Sequence, residues 1–368
     1  MRKLPVLGTG TGATRDDGAS RMAVYAQLPP RPEQFGAAGL PELADARGRV
    51  YRYLRLSVTD RCDLACVYCM PPGGEDEHAV RRELLSFEEA ARVVQVFAAQ
   101  GIRRVRFTGG EPLVRKDVVR LVELVNRRTA VEELVMTTNA TRLAELARPL
   151  RDAGLSGVNV SLDSLDPTRF REITRGGDLG RVLAGIHAAL DVGMEVKINT
   201  VLMRGRTDDE ALRLVEWAWD LGATPRFIEL MPLGEGAKLK HARMGADDVI
   251  ALLGDRVDTD FEAPVATRGP ARYLPARRGE GRVGFITPLS SEFCGTCNRV
   301  RVTARGDIRA CLASRRALSL RDVMRAGGDE RDLAWAMHWA LGAKDRGHEF
   351  LDPAVREHEH VGMSLIGG

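Results

Sequence analysis

The chain has 368 residues, 44% of them hydrophobic, which is enough to bury a large core and excludes a fibre or a polar tail. Its 54 lysines and arginines against 51 aspartates and glutamates leave a net charge of +3, so no global field marks a nucleic-acid partner, and a small partner bound by a local charge cluster is expected. No run reaches the roughly 18 apolar residues that span a bilayer, and the opening MRKLPVLGTGTGATRDDG lacks the apolar core of a secretory signal, so we expect a cytoplasmic protein with no membrane partner.

Residues 1–49 mix Gly, Pro, Arg and Asp without a period and read as a mobile N-terminal extension or a loosely packed N-terminal arm. From Tyr51 onward, YRYLRLSV, VRFTG, LVMTTN, VNVSLD, VKINTVLM and PRFIELMP are β-rich runs separated by amphipathic stretches. The first of these stretches begins with a capping box, Ser86 three residues before Glu89, repeats apolar residues through Val93, Val94 and Phe97, and stops at Gly101. Six βα units predict an α/β fold, an incomplete (β/α)6 TIM-like barrel over 50–260, with its chemistry at the C-terminal ends of the strands. After about residue 260 the sequence loosens, and VGFITPL and RVRVTA predict short strands of a smaller module over 261–345, followed by a tail at 346–368. RDLAWAMHWALGA at 331–343 predicts a helix in which His338 is a packing residue.

Six cysteines are too few for a disulfide scaffold in a chain this long. They fall into two groups of three. Cys62, Cys66 and Cys69 form C-x3-C-x2-C within TDRCDLACVYCMP, directly after the first strand. Cys294, Cys297 and Cys311 form C-x2-C-x13-C. A structural zinc site takes four ligands, and neither group has a fourth nearby in sequence. Dense thiolates suit iron–sulfur clusters, and a cubane held by three cysteines leaves one iron open to a small chelating molecule. The competing reading is a zinc-stapled module whose arginines bind nucleic acid.

The first triad, with Tyr68 before its last cysteine, resembles the cluster loop of the radical S-adenosylmethionine (SAM) superfamily. Thr108-Gly109-Gly110-Glu111-Pro112 resembles its GGEP motif, and TTN at 137–139 with VNVSLDSLD at 158–166 makes the sequence most similar to the GTP 3',8-cyclase family, which opens molybdenum cofactor biosynthesis. The likeness covers residues 50–311 and returns at Gly367-Gly368.

That resemblance implies a radical SAM barrel, two [4Fe-4S] clusters and a lyase reaction. SAM cleaved at the first cluster gives a 5'-deoxyadenosyl radical that removes the ribose C3' hydrogen of GTP, and the C3' radical attacks C8; one electron from the reductant and one proton then give 3',8-cyclo-7,8-dihydroguanosine 5'-triphosphate. It implies Tyr68, Gly110, Ser161 and Met231 as SAM contacts, and Arg55, Arg106, Thr137, Lys197, Arg299 and Arg301 as GTP contacts. Arg55, Arg299, Arg301, Gly367 and Gly368 are the residues it places nearest the chemistry, with the second cluster's open iron on the guanine. Implied partners are a reductant protein such as flavodoxin or ferredoxin and, through the product, cyclic pyranopterin monophosphate synthase; the state is a monomer or homodimer. The sequence departs from the pattern at Ala140, where the family commonly has glycine, which puts a local turn in question. A peptide maturase of the same superfamily is the alternative enzyme, though such proteins normally carry more C-terminal cysteines.

Overall fold

The computed structural model describes residues 28–73, 78–262, 269–279, 281–313, 317–342, 344–348, 350 and 363. Six strands come first: β1 (Tyr53–Ser57), β2 (Arg104–Thr108), β3 (Glu133–Thr138), β4 (Gly157–Ser161), β5 (Glu195–Thr200) and β6 (Thr224–Ile228). Helices α1 (Phe87–Ala99), α2 (Val118–Arg128), α3 (Leu143–Asp152), α4 (Pro167–Thr174), α5 (Leu179–Asp191) and α6 (Ala211–Asp220) lie between or after them. The start of α1 is the capping box read from the sequence: Glu89 N donates to Ser86 Oγ at 3.0 Å and Ser86 N to Glu89 Oε2 at 2.8 Å.

Each strand divides its side chains between two faces, because alternate residues of a strand point to opposite sides. Leu54 and Leu56, Val105 and Phe107, Leu134 and Met136, Val158 and Val160, Val196 and Ile198, and Phe227 form one buried apolar face. Packed in the same core are Val93, Val94 and Phe97 of α1, Leu121 and Val125 of α2, Val182 and Ile186 of α5, and Leu214 and Val215 of α6. Truncating a fully buried member such as Leu54 costs roughly 2–5 kcal/mol, so the sheet's helix-facing side holds the fold's stability. Apart from Val135 on β3, the residues between them are polar and turn to the other face, where the candidate site lies.

The sheet is open. Past residue 260 the chain adds β7 (Arg272–Pro275), β8 (Arg282–Ile286), β9 (Arg299–Val302), β10 (Asp307–Arg309) and β11 (Leu318–Ser319). The strand order is β11-β10-β9-β1-β2-β3-β4-β5-β6-β8-β7. β8 extends the parallel sheet beside β6 and β9 extends it beside β1, while β7, β10 and β11 are antiparallel additions. The C-terminal segment therefore flanks the six central strands on both sides and shares their sheet. Helices α7 (Glu235–Lys238), α8 (Ala246–Leu253), α9 (Leu320–Arg325) and α10 (Glu330–Gly342) complete the fold. Among the described residues no helix is long and apolar enough to cross a membrane.

Residues 1–27 of the N-terminal segment lie outside the described residues, and over residues 28–49 the chain is a packed arm and not a mobile extension. Leu43 is fully buried, and its N–H donates to the Gln100 carbonyl at 3.0 Å. Phe35 meets both Trp335 and His338 of α10 edge-on at 5.3 Å. The arm is held by isolated apolar anchors, Leu28, Phe35, Leu40 and Leu43, which have no period to betray them. His338 is accordingly a packing residue.

Candidate functional site

The first cysteine loop leaves β1 and is held from three sides. Ala65 N and Val67 N donate to the carbonyls of Thr174 and Ile173 at the end of α4, at 3.2 and 2.9 Å. Arg175, which closes that helix, donates to the carbonyls of Ala65 and Met70 at 3.0 and 2.7 Å. From β2, Gly110 N donates to Thr59 O at 2.9 Å and Glu111 N to Arg61 O at 2.8 Å. A Cβ at Gly109 would stand 2.5 Å from Thr59 O, and one at Gly110 would collide with the Arg61 carbonyl. The glycine pair is what lets these two backbones touch.

Glu111 is the residue that binds this motif to the next. It is buried, takes Thr138 Oγ1 and Leu113 N on one oxygen at 2.7 and 3.0 Å and Asn139 N on the other at 2.6 Å, and burial raises its carboxyl to about 7. Asn139 and Thr141 pass the connection back to the loop by donating to Asp63 at 2.7 and 2.6 Å. Between them Ala140 has φ of 62°, the left-handed conformation that favours glycine, with its N–H on Thr138 Oγ1 at 2.9 Å. The turn questioned from sequence is thus formed with alanine in it. Gly185 of α5 leaves the room: a Cβ there would stand 2.6 Å from Ala140 O.

Tyr68 reaches from the first loop into a large cavity on the sheet's polar face, and its hydroxyl donates to Asp163 Oδ2 at 2.6 Å. Asp163 also accepts from Val201 N at 2.8 Å, and burial raises its carboxyl to about 6. Ser161 at the end of β4 and Met231 just after β6 line the same cavity. Gly110 does not; it sits behind the cysteine loop.

Along the strands, the cavity is lined by every second residue: Arg299 and Arg301 on β9, Tyr53 and Arg55 on β1, Arg104 and Arg106 on β2, Thr137 on β3, Asn159 on β4, Lys197 and Asn199 on β5, Arg226 on β6. Pairing aligns Arg301, Arg55 and Arg106 in one row and Arg299, Tyr53 and Arg104 in the next. Arg104, Arg106, Lys197, Arg226 and Arg301 are each less than a tenth exposed. Burial lowers Lys197 to about 8 despite its ion pair with Glu195, and burial with Arg299 beside it lowers Arg301 to about 10. Burial alone would raise the Tyr53 phenol, but Arg106, Arg55 and Arg104 outweigh it and bring it to about 7. So many buried cations in one cavity are costly without a polyanion to share.

The second cysteine group opens on the same cavity: Cys294, Cys297 and Cys311 all line it. Glu229, at the end of β6, accepts from Leu289 N and Ser290 N at 2.8 and 3.0 Å and so anchors the approach to Cys294. Burial would raise the Cys297 thiol, but Arg299 and Lys344 outweigh it and lower it to about 6. Gly367 and Gly368 lie outside the described residues.

All six cysteines are free thiols. Zinc bonded to sulfur at about 2.3 Å gathers its ligands about 3.8 Å apart. Among the described residues, the trio of ligand atoms lying within 4.8 Å of one another is Glu292, Cys294 and His348. The two cysteine triads offer all-thiol donor sets, which suit iron and sulfide.

The sequence analysis does not single out Tyr53, Arg104, Asn159, Asp163, Asn199 and Arg226 in the cavity wall, and it reads Glu111 as part of the GGEP turn without its role behind that wall. The signal was there in RVR, VNVS and VKIN: a polar residue at every second position of a buried strand has to face a polar space.

Residues 56–218 match the family model of the Radical SAM superfamily, and residues 223–350 match that of Molybdenum Cofactor Synthesis C. The fold is similar to that of a solved structure: Streptococcus suis SuiB bound to S-adenosylmethionine superposes with a TM-score of 0.55 at 17% identity, over 72% of this chain and 61% of that one. Open sheet, cysteine loop and GGEP turn together define a radical SAM protein. The GTP 3',8-cyclase of Rhodopseudomonas palustris strain TIE-1 is 44% identical over 339 residues, 89% of this chain and 96% of that protein. That of Caulobacter vibrioides is 43% identical over 343 residues, again 89% of this chain and 94% of the relative. The chain belongs to the GTP 3',8-cyclase family.

Proposed function

We propose that this chain converts GTP to 3',8-cyclo-7,8-dihydroguanosine 5'-triphosphate in the first step of molybdenum cofactor biosynthesis, as a radical SAM lyase with two [4Fe-4S] clusters. One observation carries this reading: Tyr68 of the first cysteine loop, all three cysteines of the second group and a wall of buried cations share one cavity. When bound, SAM and the reduced first cluster supply the hydrogen-abstracting radical; the protein supplies binding and orientation. Cys62, Cys66 and Cys69 hold the first cluster and Cys294, Cys297 and Cys311 the second.

Tyr68, Gly110, Ser161 and Met231 hold SAM. Gly110 acts through backbone, fixing the cluster loop from behind. Asp163, fastened to Tyr68, puts negative charge where a sulfonium and an ammonium must sit. Arg55, Arg106, Thr137, Lys197, Arg299 and Arg301 hold GTP, and we add Arg104 and Arg226 from the same wall. Guanidinium pairs match phosphate oxygens two at a time, so the triphosphate is both neutralised and oriented. Gly367 and Gly368 are carried in the proposal by family resemblance alone. We place the enzyme in the cytoplasm as a monomer or homodimer, reduced by a flavodoxin or ferredoxin, with its product passing to cyclic pyranopterin monophosphate synthase. The stretch 50–260 then serves SAM, and 261–345 the second cluster.

The test is an anaerobic assay of the reconstituted protein with GTP, SAM and a reductant. It should yield the cyclised nucleotide and 5'-deoxyadenosine in equal amounts. 5'-Deoxyadenosine formed on a peptide substrate and not on GTP would refute the assignment.

A further inference from the structure

Between α10 and the tail stands a lysine that binding of GTP and SAM, as derived above, leaves unused. Lys344 Nζ lies 3.6 Å from Cys297 Sγ and 3.4 Å from the Arg299 carbonyl, and 4.7 Å from the centre of the Tyr51 ring. The ammonium thus directs its donors to a cysteine sulfur and a backbone oxygen, with an aromatic face behind it.

Its backbone is fixed with equal care. Arg49, buried and paired with Asp45 at 2.6 Å, donates to the carbonyls of Asp345 at 2.9 Å, of Lys344 and Arg346 at 3.4 Å, and of Cys294 at 3.1 Å. Asp45 is itself held by the Tyr51 hydroxyl at 2.8 Å. One guanidinium therefore ties the lysine's own segment to the turn that carries the second cysteine group. A solvated surface lysine would need neither the clamp nor the sulfur contact.

We infer that Lys344 is a positioning residue for the second cluster, donating an N–H···S bond to the Cys297 thiolate and favouring the reduced, more negative state of the centre. The inference rests on the reading that Cys294, Cys297 and Cys311 hold a cluster. Hydrogen bonds to ligand sulfurs and nearby charge are the levers by which a protein sets the potential and retention of such a centre. A purely space-filling role, the stem packing on Tyr51, would leave the potential untouched.

The experiment uses the full chain with Cys62, Cys66 and Cys69 all changed to Ala, reconstituted anaerobically so that only the second triad can hold a cluster. Iron and sulfide per chain are measured, with the midpoint potential from a redox titration followed by electron paramagnetic resonance. Lys344→Met keeps the stem and removes charge and donors; Lys344→Arg keeps both. Lys344→Met should shift the potential to more negative values, or lose the cluster, while Lys344→Arg holds both near the parent. A loaded Lys344→Met chain with the parent's potential overturns the inference, as does equal cluster loss in both variants, which would mean the side chain acts by shape. A parent chain that takes up no iron and sulfide would instead refute the second cluster itself and the inference with it.

Discussion

Around Cys62 and Cys66 burial raises the thiols, and the charged neighbours push the same way: Glu111 and Asp63 help carry Cys62 to about 12, and Asp163 raises Cys66 further. Around Cys297 the neighbours are Arg299 and Lys344, and they overcome burial to bring the thiol to about 6. Cys294 of the second triad is raised to about 11 by burial, with Cys311 and Glu292 pushing the same way, so the contrast is between Cys62 and Cys66 on one side and Cys297 on the other. Asp63, Glu111 and Asp163 beside the first triad favour a cationic ligand, as SAM is. Fixed cations favour the thiolate at Cys297, and they continue along β9, β1 and β2 into a wall suited to a triphosphate. On the proposed assignment, SAM lies by the acids and the triphosphate by the cations.

The largest expected effect separates the two triads by chemistry. Cys62→Ala should abolish SAM cleavage, whereas Cys294→Ala should keep some cleavage and lose cyclisation, so that uncoupled 5'-deoxyadenosine accumulates. Chromatographic quantification of both products checks this; equal loss of cleavage in two folded variants, each with its other cluster intact, would erase the division.

Next in size is the cationic wall. Arg301→Ala or Arg299→Ala should weaken GTP by roughly 1.5–3 kcal/mol, about 10- to 150-fold in Kd, because a charge-assisted phosphate contact is removed. Guanosine and SAM should lose far less. Calorimetric titrations that show the same loss for guanosine would move these residues from the phosphates to the base or the scaffold.

Smaller is a dependence on pH that only the cationic side should show. Lys197 is lowered to about 8 in the free protein, and a bound triphosphate favours its charged form. GTP affinity should therefore fall as pH rises through that value, by at most about 10-fold per unit from this group, on top of the loss that ionisation of the Tyr53 phenol near 7 brings. SAM affinity should stay flat as pH rises through about 8, and Lys197→Arg should remove the step near 8 from the GTP curve. A profile unchanged by that substitution would take Lys197 out of the phosphate site.

The smallest effect tests the turn behind the acidic side. In Ala140→Gly, relief of a positive φ and loss of a buried methyl oppose each other at about 1 kcal/mol apiece, so stability in urea should move by less than about 1 kcal/mol. Ala140→Val, β-branched in the same conformation, should be clearly destabilising. If glycine there changed stability by several kcal/mol, the turn would be held by more than its backbone geometry.

Much of this was legible before any coordinates. The six central strands, the capping box at Ser86 and the two cysteine triads are local patterns, because alternation, capping and ligand spacing are set by neighbours in the chain. The anchors of the arm at 28–49 were not legible, since they have no period and their partners on α10 lie some three hundred positions away. Nor was Glu111, whose partners Thr138 and Asn139 are brought to it by the pairing of β2 with β3.

By itself the sequence determined that this chain is built of βα units with two sets of three thiols, because those properties reside in short stretches. Only the tertiary structure decided that β9, from the far end of the chain, lies parallel to β1 and puts Arg301 beside Arg55. It also decided that Lys344 meets Cys297 and that acids stand beside Cys62 and Cys66 while cations stand beside Cys297. Charge at a site is the sum over residues that folding brings within a few ångströms, and that sum cannot be read along the chain.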